Sequence, residues 1–328
     1  MPFVIRAVLL FVVVLVVSAC GNSGSTATSS AGEPLNDATA RTSASAGGVS
    51  TTLPGFEDAQ PAPSESAEAI YGPTAAGDEL TLMSFNLRWD NPDDVLSWSD
   101  RLPAIVTMLN EKRPIVLGVQ EALAHQVDDL DTALADYDWV GVGRDDGVAA
   151  GEFAAIFFRR DAMELVDTAN FWLSETPEVP SRGWDAALER IVTWAELRPT
   201  GSDQALFVFN THFDHEGVLA RANSAELLAE RVGLIAGRQQ AVVMGDLNEL
   251  PESSSLGPLR ALLSDARVGA PITDDVGSFN AFLSATGLWN IDYIFHQGGE
   301  AIRFETIDDN YGIDFISDHF PIEAVVRF

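Results

Sequence analysis

Cysteine is nearly absent from this sequence: Cys20 is the only one among 328 residues. No disulfide within the chain and no thiolate metal cluster can form, so the fold must rest on its apolar core. Lysine is just as scarce. Lys112 is the single lysine, and 19 basic residues stand against 49 acidic ones, for a formal net charge of −30. This charge counts against a stable nucleic-acid-binding module, which would normally show a basic stripe, and polyanions are repelled at long range. A brief encounter with a phosphoester at a metal stays compatible, because charge inside a cleft can oppose the overall sign. Long apolar runs are missing too. The run at 7–17 falls short of the about 20 residues that a membrane-spanning helix needs. What remains is a globular composition, 46% hydrophobic and 21% charged, with length for one large domain.

The start of the chain reads as an address. Arg6 precedes the apolar run, and Ser18 and Ala19 follow it, the small residues that close a signal-peptide core. Val17-Ser18-Ala19-Cys20 resembles the bacterial lipobox. That resemblance implies a signal peptide over 1–20, lipidation of Cys20, and a protein anchored to the cell membrane on its extracytoplasmic side. Residues 21–77 are rich in Ser, Thr, Ala, Gly and Pro without apolar period, the composition of a flexible linker. The folded domain is expected over 78–328.

Within that domain, strand-like and helix-like segments alternate. Strands are predicted at 79–87, 115–120, 138–142, 154–158, 190–197, 205–213, 240–248, 290–296 and 321–328. Helices are predicted at 98–111, where Leu102, Ile105, Val106 and Leu109 keep helical spacing before Pro114, at 124–134, and at 217–236. Two β-rich halves, each with helices, argue for an α+β layered sandwich over a regular βαβ sheet.

Polar residues that interrupt apolar strand ends carry the functional signal, since a strand needs no Asp or His for stability. Asn86 ends the first strand and Gln120-Glu121 the second. Asn210 and His212 lie two apart, hence on one face, as do Asp246 and Asn248. Asp318-His319 follows Ser317 before the last strand, and Asp292 sits inside NIDYIF. Singly, an Asn or Asp at a strand end is a turn former and a lone His a structural residue. Together they form a constellation. His212 and His215 have zinc-like spacing but lack a third adjacent nitrogen or thiolate ligand, and Asp145-Asp146-Gly147 reads as a turn.

The segments SFNLR (84–88), GVQE (118–121), NTHFDH (210–215), GDLN (245–248), IDYIF (291–295) and SDHFPI (317–322) closely resemble the superfamily of apurinic endonucleases, DNase I, neutral sphingomyelinases, inositol polyphosphate 5-phosphatases and nocturnin-type deadenylases. They come in the family's order. The resemblance implies a DNase I-like four-layer α/β/β/α sandwich, with two sheets face to face, helices outside and the active site at one end. It further implies a Mg²⁺-dependent (or Mn²⁺-dependent) phosphoester hydrolase. Glu121 would be the main metal ligand, with Asn86 and Asp318. Asp246 would orient or deprotonate the attacking water, and Asn248 would donate to the phosphoryl oxygen. His319, held by Asp292, would contact the phosphate, and His212 would contact it or assist the leaving group, with His215 a further contact.

Flanking stretches, among them GVGRDDG (141–147) with Glu152 and GWDAALER (183–190), resemble a bacterial branch whose natural substrates are mostly unassigned. Arg88, Arg144, Arg190 and Trp184 are the expected substrate-selecting residues there, by phosphate forks and stacking. Three substrate classes compete: nucleic acid, a lipid head group, and a small phosphorylated metabolite or glycan. The net charge and the lack of a DNA-wedging or bilayer-entering element favour the last. A catalytically inactive surface-binding lipoprotein is the reading from a different class, and it gives no reason to keep Glu121, Asp246, Asn248, Asp292 and His319 together. No protein partner is evident, and a monomer is expected.

Overall fold

The computed structural model describes residues 79–328. Cys20, the expected signal peptide over 1–20 and the expected linker over 21–77 lie outside the described residues. The elements run in the order β1 (Glu79–Asn86), α1 (Trp98–Lys112), β2 (Val116–Gln120), α2 (Ala124–Ala133), β3 (Tyr137–Val140), β4 (Ile156–Arg159), β5 (Met163–Trp172) and β6 (Ile191–Pro199). They continue with β7 (Leu206–His212), α3 (Val218–Ile235), β8 (Gln240–Asp246), α4 (Gly257–Leu262), β9 (Ser264–Asp265), α5 (Ala266–Gly269), β10 (Asp292–Gln297), β11 (Glu300–Thr306) and β12 (Ile322–Arg327).

Two six-stranded sheets result, ordered β11-β12-β1-β2-β4-β3 and β5-β6-β7-β8-β10-β9. Each has a single parallel pair, β1 with β2 and β7 with β8, and antiparallel neighbours elsewhere. The parallel pairs are joined by the long helices α1 and α3, as a parallel connection demands. Strand alternation sorts the side chains into layers. Leu80 and Leu82 of β1 pack with Val208, Val242, Met244 and Ile294 of the other sheet, forming the core between the sheets. Met83 and Phe85 point the other way, onto Ile105, Met108 and Leu109 of α1. Phe207, Phe209 and Val243 likewise meet Ala225, Leu228 and Val232 of α3. The four-layer sandwich is therefore a direct product of period-2 strands that are apolar on both faces. Ser97 opens α1 with a reciprocal capping box to Asp100, which fixes where that helix begins.

Three strands escape the sequence pattern, β5, β11 and the two-residue β9, and all lie at sheet edges. Most of β5 is exposed or half-buried, from Glu164 to Asn170, so it shows no apolar alternation to read.

At the polar end of the inter-sheet gap the apolar residues give way. Gln120 Nε2 donates to Ser84 Oγ at 3.1 Å and to Asn210 Oδ1 at 2.7 Å, while Asn210 Nδ2 donates to the Val119 and Ala155 carbonyls of the facing sheet. Gly118 makes this bridge possible, since a Cβ there would stand 2.8 Å from the Asn210 side chain. Asn210 thus ties the sheets together just beneath the strand ends. Gly245, before Asp246, has φ +144°, and a Cβ on it would run into the Thr211 carbonyl oxygen. Gly245→Ala is therefore expected to destabilise the fold by about 2–4 kcal/mol through backbone strain and overpacking. Chemical denaturation checks this, and a midpoint equal to that of the parent would contradict it.

Candidate active site

Three strand ends meet side by side on the inner face of the second sheet. His212 of β7 and Asp292 of β10 both pair with Asp246 of β8. Across the gap, β1 and β2 end together at Asn86 and Gln120. Each of three strand ends is followed by a left-handed residue that is not glycine: Arg88 (φ 57°), Glu121 (φ 61°) and Asn248 (φ 49°). Such backbone is held at a cost and is common where side chains must be aimed.

Asp246 is the hub. Its Oδ2 accepts from Asn86 Nδ2 at 3.1 Å, lies 3.5 Å from His212 Nε2 and lies 3.7 Å from His319 Nε2. Its Oδ1 accepts the Asn248 backbone N–H at 2.9 Å. Burial and the nearby Asp292 charge push the Asp246 carboxyl up to about 7, against the pull of His319. Burial opposes charge on His319, but Asp292, whose Oδ2 lies 2.8 Å from Nδ1, together with Asp246 and Asp318, raises it to about 10. His319 is thus a buried imidazolium, clamped at the ring edge by Phe279 at 5.0 Å between centroids. His212 is the opposite case. Burial and the charges of Arg190 and Arg144 hold it well below the usual histidine range. As a neutral ring it accepts at Nε2 from Asn248 Nδ2, 3.1 Å away, and carries its proton on Nδ1, facing Glu152 Oε2 at 3.8 Å. Two histidines on one carboxylate therefore have opposite protonation, set by their partners.

The His319–Asp292 pair has a consequence for stability. The folded pKa of His319 exceeds its ordinary 6.5, so the pair stabilises fully below about pH 6.5 and loses this contribution as pH rises through about 10. The melting-temperature difference between the parent and Asp292→Asn is expected to be largest near pH 6 and to close toward pH 10. A difference independent of pH would show that the pair contributes no linkage.

Glu121 accepts from Asn86 Nδ2 at 3.0 Å and from the Trp89 backbone at 3.1 Å. Burial alone would raise its carboxyl, but His319 and the Asn86 hydrogen bond bring it below the usual range. Burial lifts Asp318, whose Oδ2 lies 3.5 Å from a guanidinium nitrogen of Arg88. Asn86 presents its amide N–H groups to the carboxylates and its oxygen to the Arg88 backbone. The donor atoms of Asp246, Asp292 and His319 lie within 4.8 Å of one another, yet His319 Nδ1 is already taken by Asp292. Glu121, Asp246, Asp292 and Asp318 thus converge, with His319 and Arg88 against them and Arg144 and Arg190 sharing a cavity with Glu121. This oxygen-rich, net-negative group fits a hard divalent cation.

Arg144 and Arg190 are buried beneath this constellation. Arg144 grips Glu152 with two nitrogens, at 2.5 and 2.9 Å. Arg190 meets Asp214 at 3.3 Å and His215 Nδ1 at 2.9 Å. They share a small cavity with Glu121, Glu152 and His212, of about 10 Å³, room for the centre of one water. Arg144 Nε, Arg190 Nη1 and His212 Nδ1 have no other hydrogen-bond partner among the described residues. Trp184 stands apart. Its backbone is left-handed and donates to Glu175, and its side chain is outside this cavity.

Three residues escaped the sequence reading of roles. Glu152 faces His212. Asp214 takes backbone N–H groups from Ala187, Leu188, Glu216 and Gly217 and so shapes the loop carrying His215. Arg101, fully buried in α1, donates to the carbonyls of Leu87, Arg88 and Ile316, pinning the loops that carry Arg88 and Asp318. Its signal was present: Arg101 is in the helical register of Trp98 and Ile105, on the buried face. Asp146, by contrast, accepts from the N–H groups of residues 148–150, forming the expected turn.

Residues 83–319 match the model of the endonuclease/exonuclease/phosphatase family. The chain belongs to that family. A mannosyl-6-phosphatase of Bacteroides thetaiotaomicron VPI-5482 is 34% identical, with 76% of this chain and 100% of that one covered at a TM-score of 0.73. A second family protein of Bacteroides thetaiotaomicron is 35% identical, covering 77% and 98% of the two chains at a TM-score of 0.72. A Danio rerio TDP2 complexed with single-strand DNA product shares the fold alone, at 16% identity and a TM-score of 0.60. An uncharacterised mimivirus protein, L388, is 28% identical over 127 residues, 37% of this chain and 47% of its own length. As a member of this family, the chain is a phosphoester hydrolase with the DNase I-like sandwich expected from its sequence.

Proposed function

We propose that this endonuclease/exonuclease/phosphatase family member hydrolyses the phosphate ester of a small hydroxylated molecule, with Mg²⁺ or Mn²⁺ as its cation. The observation that carries this reading is the convergence of His212, His319, Asn86 and Asn248 on Asp246. Asp246, with a carboxyl near 7, is suited to take a proton from water at neutral pH. The His319 imidazolium would donate to a phosphoryl oxygen as charge builds, and the Asn248 amide, bonded to His212 and the Phe213 carbonyl, would join it by exchanging one of those bonds. Asp292 keeps His319 charged, and neutral His212 stands beside the leaving oxygen. Glu121 and Asp318, with Asn86 orienting Glu121, would hold the cation, which supplies charge neutralisation at the phosphate. Arg144 and Arg190 brace Glu152 and Asp214 under the site, and Arg88, held by Asp94, reaches Asp318 at its rim.

For the substrate, the 34% identical mannosyl-6-phosphatase, covered over its whole length, supports a phosphomonoester of a sugar. The net charge of −30 weighs in the same direction, against a polyanion. A panel of hexose phosphates, nucleotides, DNA, sphingomyelin and bis-p-nitrophenyl phosphate tests this. Hexose phosphates are expected to give the highest kcat/KM, and a preference for DNA or sphingomyelin would overturn the reading. The lipobox supports attachment through Cys20 at the outer side of the cell membrane. Cys20→Ser is then expected to leave the protein unlabelled by radioactive palmitate and free of the membrane fraction.

A further inference from the structure

Beside the candidate active site runs a groove of about 660 Å³ formed by the segments after β1, between α5 and β10, and before β12. Phe282 and Phe315 line it, their rings edge to face at 6.4 Å, with Val95 fully exposed nearby. Asp93, Asp94 and Asp314 line it as well. The groove is tied directly to the centre. Asp94 holds Arg88 through two nitrogens at 2.9 and 3.0 Å, and Arg88 reaches Asp318 at 3.5 Å. The wall carrying Phe282 is fastened to the same residue, since the backbone N–H groups of Asn280 and Ala281 donate to the Asp318 carbonyl.

We propose that this groove is the subsite for the leaving group of the ester, an uncharged sugar ring. The assignment rests on the phosphoesterase reading above and adds the place where the alcohol sits. The Asp93 and Asp314 side chains are exposed and have no hydrogen-bond or salt-bridge partner among the described residues. Ionised carboxylates only accept, so an occupant that displaces their water must bring donors. A second phosphate would meet like charge from three carboxylates, which rules against a nucleic-acid strand continuing along this path. The aromatic and aliphatic wall asks for a flat apolar face. A pyranose offers both, a C–H face for the Phe rings and a rim of hydroxyls for the carboxylates.

The test compares mannose 6-phosphate with glycerol 2-phosphate, which has no ring to fill the groove, in the full chain with Mg²⁺ and in Phe282→Ala and Asp314→Asn. The ratio of the two kcat/KM values is expected to fall about tenfold in each variant, with glycerol 2-phosphate turnover unchanged. An unchanged ratio, or a parallel loss on both substrates, overturns the subsite and leaves the hydrolase standing. So does phosphocholine outrunning mannose 6-phosphate and losing that lead in Asp314→Asn, since the occupant is then an organic cation. If no phosphoester is turned over, the functional reading fails on its own, and saturation-transfer NMR of mannose 6-phosphate still reads the groove. Magnetisation transfer to the sugar ring protons that disappears in Phe282→Ala supports the subsite. Transfer that is missing in the parent, or unaltered in the variant, overturns it.

Discussion

Asp246→Asn is expected to lower kcat for phosphoester hydrolysis by about a thousandfold, the scale of losing a positioned general base. The substitution keeps the shape and an oxygen able to accept the Asn248 backbone N–H, so the geometry at the strand end survives. What disappears is the basic oxygen shared by His212, His319 and Asn86. Stability is expected to hold or rise, because a carboxylate crowded by burial and by Asp292 is replaced with a neutral group. Single-turnover kinetics and a melting curve together decide the matter: kcat within tenfold of the parent contradicts the role, and a collapsed melting curve would make the loss of activity structural. Asn248 shares hydrogen bonds with both Asp246 and His212, so Asn248→Ala combined with Asp246→Asn is expected to cost far less than the product of the two.

Chelation with EDTA is expected to abolish turnover, and added Mg²⁺ or Mn²⁺ to restore it. Four carboxylates, from Glu121, Asp246, Asp292 and Asp318, face the same end of the inter-sheet gap, where His319 and Arg88 offset them in part. A bound divalent ion relieves that repulsion, so saturating Mg²⁺ should also raise the melting temperature, by about 2.7 kcal/mol of stability at a hundredfold excess over Kd. Glu121→Gln removes a charged oxygen while keeping its hydrogen-bonding shape. The half-saturating Mg²⁺ concentration is expected to rise at least about tenfold, with the thermal shift reduced in step. Full activity in EDTA, or an unaltered Mg²⁺ requirement in Glu121→Gln, contradicts this assignment.

Much of this protein can be read before any folding. Apolar period and turn residues place the central strands β1, β2, β7, β8, β10 and β12 and the helices α1, α2 and α3, because a buried strand or helix face must be apolar at its own repeat. The polar residues that break those strands at Asn86, Glu121, His212, Asp246, Asp292 and His319 stand out for the same reason. Edge strands β5 and β11 do not, since a half-exposed strand is under no such constraint.

Tertiary structure alone decided the rest. Burial and charge are properties of neighbourhoods, so the sequence cannot say that His319, before β12, is a cation and His212, ending β7, is neutral. Nor can it say that Asn210 bridges the sheets while His212, two residues on, reaches Asp246. Arg144 and Arg190 look like substrate forks in one dimension. In three dimensions they lie buried against Glu152 and Asp214, because a guanidinium removed from water must find carboxylates. The groove of Phe282, Phe315 and Asp93 joins segments some 190–220 residues apart, roughly two thirds of the chain, and no local pattern announces a surface assembled that way.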